Sequence, residues 1–499
     1  MLQKNHPQLD LGKPVAEFTI TTGVSKTSIL SFPKFLTDSS GTGRFGPIAA
    51  GNFNHMAGEH GKFLIFDAKW YEKNYEATVR IKLDSPLLIE IFSKEGYNKD
   101  FMSRLEDYLI LTLQAFEDAI RKETIFITFV PGIQETSKLS TRTKFSQKIF
   151  SGNMLNLILA AILFSFLIIF LISAFAPALI EYTPFIMIGF MLAIVLSAGK
   201  IVALSSNWRI NEEHTDVVIV ECKLDNTIIG SFMQTYGQSL SPLKMKIYDL
   251  MTSQRRAATS LEIANIFSEF GINVTPEQII VKRVDVYGIV KRVAEKFEIP
   301  IPTIMITKNF RPNAAATGFT KHLATMMITI GLIIQLEEHE IELVVGHELS
   351  HLRFGDPVIL FSIFSLEYLA RMYVYYQYIV NFSILYLILV FWLVFFLGKF
   401  LEARADLEAA YILRDPQTMA TSLKKIGFRR LALDVGFIEG KESTISEWFA
   451  FDPHPPIGYR IRRLEKLDLR MVPVGYVPKH TMLISISDVF GGIKAAMRR

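Results

Sequence analysis

The chain has 499 residues, half of them apolar, and its 53 Lys and Arg nearly balance 49 Asp and Glu for a net charge of +4. That balance gives no electrostatic argument for a nucleic-acid partner. The single cysteine, Cys222, excludes an intrachain disulfide framework and any zinc site built from several thiolates. Within VVIVECKL it reads as a buried apolar residue.

The first thirty residues lack an apolar stretch of the length a secretory signal needs, so the N-terminal region is expected in the cytosol. Residues 1–150 read as a soluble α/β accessory domain. Strands are expected at Ala16–Thr22, Lys62–Phe66, Tyr75–Leu83 and Leu87–Phe92, followed by a helix over Asp100–Arg121 with apolar residues at helical spacing. Residues 151–205 read as a transmembrane hairpin. Met154–Ile180 carries no charge and neither does Tyr182–Gly199; each is long enough to cross the ~30 Å hydrocarbon layer. Lys138, Arg142, Lys144 and Lys148 precede the hairpin, and Lys200 and Arg209 follow it, which predicts cytoplasmic outer flanks.

Residues 206–290 read as a soluble insertion. It holds a strand at Val217–Lys223, helices at Leu243–Met251 and Ser260–Phe270, a break at Gly271 and a helical restart at Thr275-Pro276-Glu277. That order resembles a helix-turn-helix, but no base-reading residues can be named, so nucleic acid is not an expected partner. Residues 357–398 form a second apolar block of about two spans, with its turn near Tyr376–Asn381. Glu367 and Arg371 fall four residues apart inside it, placed to pair with each other or to line a chamber.

Chemistry concentrates in Glu340–Arg353, which contains His347-Glu348-Leu-Ser-His351. Residues four apart share a helix face, so His347 and His351 can direct two imidazoles at one Zn²⁺, with Glu348 beside the open position. Peptide hydrolysis needs a carboxylate there: as general base it accepts the proton of the attacking water and returns it to the leaving amine. An HExxH string arises by chance about 0.01 times in a chain of this length. A third protein ligand must emerge on the same side of the membrane, after an even number of spans. Immediately after the second hairpin comes Glu402-Ala-Arg-Ala-Asp406, again on one helical face. Glu402 suits the third ligand and Asp406 an acceptor orienting a ligand histidine, although spacing alone leaves Asp406 open as the ligand. Arg353, Lys399 and Arg404 flank this hairpin and predict a cytoplasmic face.

Together, Pro312-Asn-Ala-Ala-Ala-Thr-Gly318, the HELSH string, the Glu402–Asp406 element and His454-Pro-Pro-Ile-Gly-Tyr-Arg460-Ile resemble the HtpX family of membrane zinc endopeptidases, relatives of the CAAX prenyl protease. The resemblance covers about residues 290 to 465 and the preceding hairpin. It implies one zinc ion per chain held by His347, His351 and Glu402. It also implies an oxyanion-stabilising role for His454, with Arg460 as the arginine of the same motif. Asn313, Ala314 and Ala315 correspond to the substrate-binding edge strand of gluzincin enzymes, Ala315 standing where an aromatic residue is expected.

The expected protein is thus an α-rich integral membrane protein with four transmembrane helices and an N-terminal soluble α/β domain. Its gluzincin-type metallopeptidase domain is split between 291–356 and 399–499, with the active site and both termini in the cytoplasm. Its expected partners are the lipid bilayer and polypeptide substrates, membrane or misfolded proteins as the family implies. A non-catalytic zinc-containing scaffold or regulator is the alternative. A solute transporter would need more polar residues in the spans than Glu367 and Arg371.

Overall fold

A computed structural model describes residues 12–40, 48–58, 61–70, 73–133, 167–224, 241–253, 258–374, 383–431, 445–469 and 477–497. The chain divides into two compact units: Met1–Ile127, Ile219–Lys282 and Leu423–Ser443 form one, and Thr128–Val218, Arg283–Ser422 and Thr444–Arg499 the other.

In the first unit, strands β1 (Ala16–Ile20), β2 (Ile48–Gly58), β3 (Gly61–Trp70), β4 (Tyr75–Lys82) and β5 (Leu87–Phe92) form an antiparallel sheet of order β1–β5–β4–β3–β2. Tyr75, Ala77, Val79 and Ile81 of β4 are buried while their alternates are not, the period of a sheet covered on one face. Helix α1 (Lys99–Arg121) starts where the Asn98 side chain accepts the Phe101 N–H at 3.1 Å. It buries Phe101, Leu105, Leu109, Leu113 and Phe116 at helical spacing, and the Phe101 ring meets Tyr75 of β4 at 4.6 Å. Cys222 is fully buried, and burial pushes its thiol up to about 12.

The helical restart expected at Thr275-Pro276-Glu277 does not form. Pro276–Gln278 makes a single 3₁₀ turn, and the chain leaves it as a strand, Ile279–Asp285. The β-branched run Ile279-Ile280-Val281 outweighs the helix-start signal, and without a second helix there is no helix-turn-helix. That strand joins Thr124–Phe129 and Asp216–Lys223 in a three-stranded sheet with Asp216–Lys223 in the middle.

Residues 134–166, which include the first part of the first expected hairpin and the basic residues before it, lie outside the described residues. Beyond them, Pro177–Ser205 is the one helix among the described residues long and apolar enough to cross a membrane; after a 3₁₀ turn it becomes α2 (Thr183–Ser205). Its side chains are largely exposed, Phe185, Ile186, Ile194 and Leu196 among them. Three residues on, β6 (Trp208–Ile210) enters the second unit's sheet, so this part of the expected insertion belongs with the peptidase strands. Helix α3 (Val286–Phe297) leads to β7 (Thr303–Thr307), β8 (Ala314–Thr317) and β9 (Thr325–Thr329). The sheet order is β8–β9–β7–β6, with β7 and β9 parallel and β8 an antiparallel edge.

Helix α4 (Glu338–Phe354) carries the HExxH string. Glu340 accepts the Glu337 N–H at 2.9 Å at its start, and Gly355, at φ +79°, ends it in a left-handed conformation that suits glycine. Ile341, Leu343, Val345, Leu349 and Leu352 anchor it in the core. The chain turns directly into α5 (Asp356–Tyr373), where Arg371 Nε donates to Glu367 at 3.0 Å and Tyr386 Oη to the same oxygen at 2.9 Å. The expected turn of this hairpin lies outside the described residues. Helix α6 (Ser383–Leu413) follows as one continuous rod of 31 residues. Helices α7 (Ile457–Glu465) and α8 (Val477–Met497) follow; Val489, Ile493 and Ala496 of α8 pack on Phe400 and Ala403 of α6 around Trp448.

Candidate active site

Helical period brings His347 and His351 to one face of α4, their Nε2 atoms 3.3 Å apart. Helix α6 sets Glu402 against them: Oε2 lies 3.3 Å from His347 Nε2 and Oε1 lies 3.4 Å from His351 Nε2. Two ligands at zinc–nitrogen bond lengths and a tetrahedral angle stand about 3.4 Å apart, so all three separations match edges of a zinc tetrahedron. Glu402 Oε2 is also buried without a hydrogen-bond donor aligned on it among the described residues, which a cation would satisfy. Two imidazoles and a carboxylate in this arrangement fit a divalent metal of the zinc type.

Electrostatics follow from burial. Burial pulls the His347 and His351 pKa values down, but the carboxylates of Asp406 and Glu402 around His347, and of Asp356 and Glu402 around His351, outweigh it. The net positions are about 9 and about 10. Burial pushes Glu402 up, and the two histidines overcome it, holding that carboxyl well below the usual range. Glu348 is raised: burial outweighs the pull of His347 and His351. Its Oε2 accepts the Ala316 N–H of edge strand β8 at 3.0 Å, so the strand and the carboxylate face one another across the site.

Residues 282–468 match the family model described as peptidase family M48. Over 216 residues the chain is 27% identical to a protease HtpX homolog of Thermodesulfovibrio yellowstonii, covering 37% of this chain and 76% of the relative. It is 29% identical to protease HtpX homolog 2 of Methanosarcina mazei, covering 37% and 73%, and 28% identical to protease HtpX of Idiomarina loihiensis, covering 36% and 70%. Residues 282–468 form an HtpX-like domain of peptidase family M48. The chain is accordingly a metalloprotease, and the expected resemblance holds.

Behind the candidate donor set of His347, His351 and Glu402, Asp406 and Arg460 form a buried support. Arg460 donates from Nε and Nη2 to the two carboxylate oxygens of Asp406, both at 2.7 Å. Asp406 Oδ1 lies 2.9 Å from His347 Nδ1, a charge contact rather than an aligned hydrogen bond. Burial raises Asp406, but Arg460 and then His347 prevail and depress it. His454 is half-exposed, with Nε2 3.7 Å from Glu402 Oε2. Of the expected substrate-binding residues, Asn313 precedes β8 and is tied through its backbone to Thr329, Ala314 is buried, and Ala315 is exposed on the edge strand.

Five positioning groups in this domain escaped sequence reasoning. Asp356 Oδ2 lies 2.6 Å from His351 Nδ1 and also accepts Arg404 Nη2 at 2.8 Å. Its position, one residue past the Gly355 helix end, was the available signal. Asp452 Oδ1 accepts the His454 N–H and faces His454 Nδ1, both at 2.9 Å. Ala316 acts through its backbone, which side-chain motifs cannot report. Lys399, read from sequence as a flank charge, is 1% exposed and donates to the carbonyls of Ala450 (3.1 Å) and Asp452. Next to it, a Cβ at Gly398 would stand 2.9 Å from Pro453 Cβ, so α6 grips the loop that carries His454. Arg404 is likewise fully buried, shared among Asp356, Glu408 and Ser350. Neither cation is therefore a free membrane-flank charge of the kind the positive-inside rule counts.

Proposed function

We propose that the chain is a membrane-embedded zinc endopeptidase that hydrolyses peptide bonds of membrane or misfolded proteins. The observation carrying this reading is the triangle of His347, His351 and Glu402, whose sides of 3.3 to 3.4 Å suit one tetrahedral zinc ion with Glu348 beside it. When bound, zinc supplies an acidified water and polarises the scissile carbonyl. In this reading Glu348 removes the water's proton, and its raised pKa suits a group that must then release that proton to the leaving amine. Substrate adds as a strand along β8, meeting the outward backbone groups of the alternate residues Ala314 and Ala316 while Ala315 pairs inward with Met327 of β9, and the Asn313 end is fixed by Thr329. His454, held through Asp452, donates to the developing oxyanion. Asp406, neutralised by Arg460, keeps His347 in its ligating orientation.

The domain is read as held by four membrane spans, 154–180, 182–199 and the two halves of 357–398, with residues 1–150 as an accessory region and the site on the cytoplasmic side. Support for the side comes from Lys200, exposed in the last turns of α2, and Arg209, exposed on β6 just beyond it. Purified protein in detergent is expected to contain one zinc per chain and to cut an unfolded polypeptide. A Glu348→Gln variant should retain the zinc and lose activity by a factor of about 10²–10⁴. Equal cutting by that variant would overturn the mechanism.

A further inference from the structure

The catalytic residues sit unusually near the ends of the apolar helices, by three independent routes. On α6 the uncharged run ends at Gly398, and Glu402 follows four residues later, about 6 Å along the helix. On α4, His351 is bonded by Asp356, and the next residue, Pro357, opens the uncharged run of α5. On the edge strand, Ala316 bonds Glu348, and three residues further, at most about 10 Å of chain, Phe319 meets Phe361 of α5 with ring centroids 6.0 Å apart.

Helix α2 gives the same level. Gly199 closes its uncharged run, and a Cβ there would stand 2.6 Å from Thr325 Oγ1 at the start of β9. Leu323, just before β9, is 63% exposed at that height. Strand β8 is antiparallel to β9, so its Thr317 end lies toward the spans and its Ala314 end away from them. A chain paired along β8 therefore has one end at the bilayer surface.

Resting on the endopeptidase reading and its membrane-protein substrates, we propose that distance from the bilayer sets the cut position: the enzyme cuts within about five residues of a substrate's membrane anchor, the length of extended chain that spans ~10 Å and the headgroup layer. A folded 100-residue domain, with a radius of gyration of about 13 Å, cannot bring its interior to this depth without striking the membrane. A segment tethered beside its own anchor arrives in extended form at millimolar effective concentration.

The test uses the full-length, zinc-loaded protein in liposomes. Substrates carry one membrane anchor, a Gly/Ser spacer of about two to about twenty residues, and one constant cleavable sequence before a soluble reporter. Cut sites are mapped by mass spectrometry, with Glu348→Gln as the blank. The expected result is cutting that stays close to the anchor and moves into the spacer as it lengthens, with kcat/KM at least about tenfold above that of the same sequence without an anchor. Cutting that follows the constant sequence at every spacer length, or equal cutting of the unanchored peptide, overturns the proposal and leaves the endopeptidase reading standing. If no substrate is cut above the Glu348→Gln blank, the endopeptidase reading falls, and the proposal with it.

Discussion

Replacing Arg460 by Met tests whether the support behind His347 acts as a unit. Arg460 places two 2.7 Å charge-assisted bonds on Asp406, with both side chains at least nine-tenths buried. Removing only the cation strands a buried carboxylate, which costs about 3–5 kcal/mol. The carboxylate recovers part of that by taking up a proton or by turning toward other donors, and either change releases His347. Mis-set support of a ligand histidine typically lowers metal affinity about 10–100-fold. Asp406→Asn should by itself weaken zinc binding to a similar degree. The combined Arg460→Met/Asp406→Asn protein, which leaves no unpaired charge, should lose clearly less than the sum of the two, with a coupling energy of about 2 kcal/mol or more. Zinc affinity by chelator competition and unfolding of the detergent-solubilised protein both read this out. Additive losses, or an Arg460→Met protein with unaltered zinc affinity, would refute the reasoning.

Metal binding should depend steeply on pH. In the metal-free protein both ligand histidines titrate above their ordinary 6.5, at about 9 and about 10, so protonated imidazoles stabilise that state. This contribution is complete below 6.5 and disappears as pH rises through 9 to 10. Both protons must leave before zinc is held, so zinc affinity should climb by up to ~100-fold per pH unit between pH 6.5 and 9. A flat chelator-competition profile over that range would contradict the network described. Lys399→Met should free the loop bearing His454 and lower kcat about tenfold with little change in KM, while Lys399→Arg retains most of the rate. In combination with His454→Phe it should add little; full additivity in kcat would show that Lys399 acts elsewhere. Glu402→Ala should abolish stoichiometric zinc, and a variant that still holds one zinc per chain would remove Glu402 from the donor set.

The HExxH helix was legible because its chemistry and its fold share one period: the spacing that joins His347 to His351 also sets Leu343, Leu349 and Leu352 in the core. Glu402 was reachable because chain topology restricted where a third ligand could emerge, although only family resemblance separated it from Asp406. The partners of the histidines were not legible. Asp356 and Asp452 act across tight turns whose geometry no periodicity encodes. Lys399 and Arg404 resemble ordinary membrane-flank cations until tertiary packing buries them. In the first unit, β2 was missed because Ile48–Gly58 contains glycines and asparagines that depress strand propensity, and its pairing shifts register between Gly51 and Asn54. At Thr275 the error ran the other way, a genuine cap signal serving only a single turn.

The separation of the donors along the chain bears on how such an enzyme is made. His351 and Glu402 are 51 residues apart in sequence, on helices that the second apolar block joins. At about 5–20 residues per second, a ribosome needs several seconds to pass from one to the other. Throughout that interval the nascent protein holds two imidazoles and no third ligand, and Arg460 has yet to be made. The protease therefore has no complete centre until both apolar helices and the chain beyond them have been synthesised.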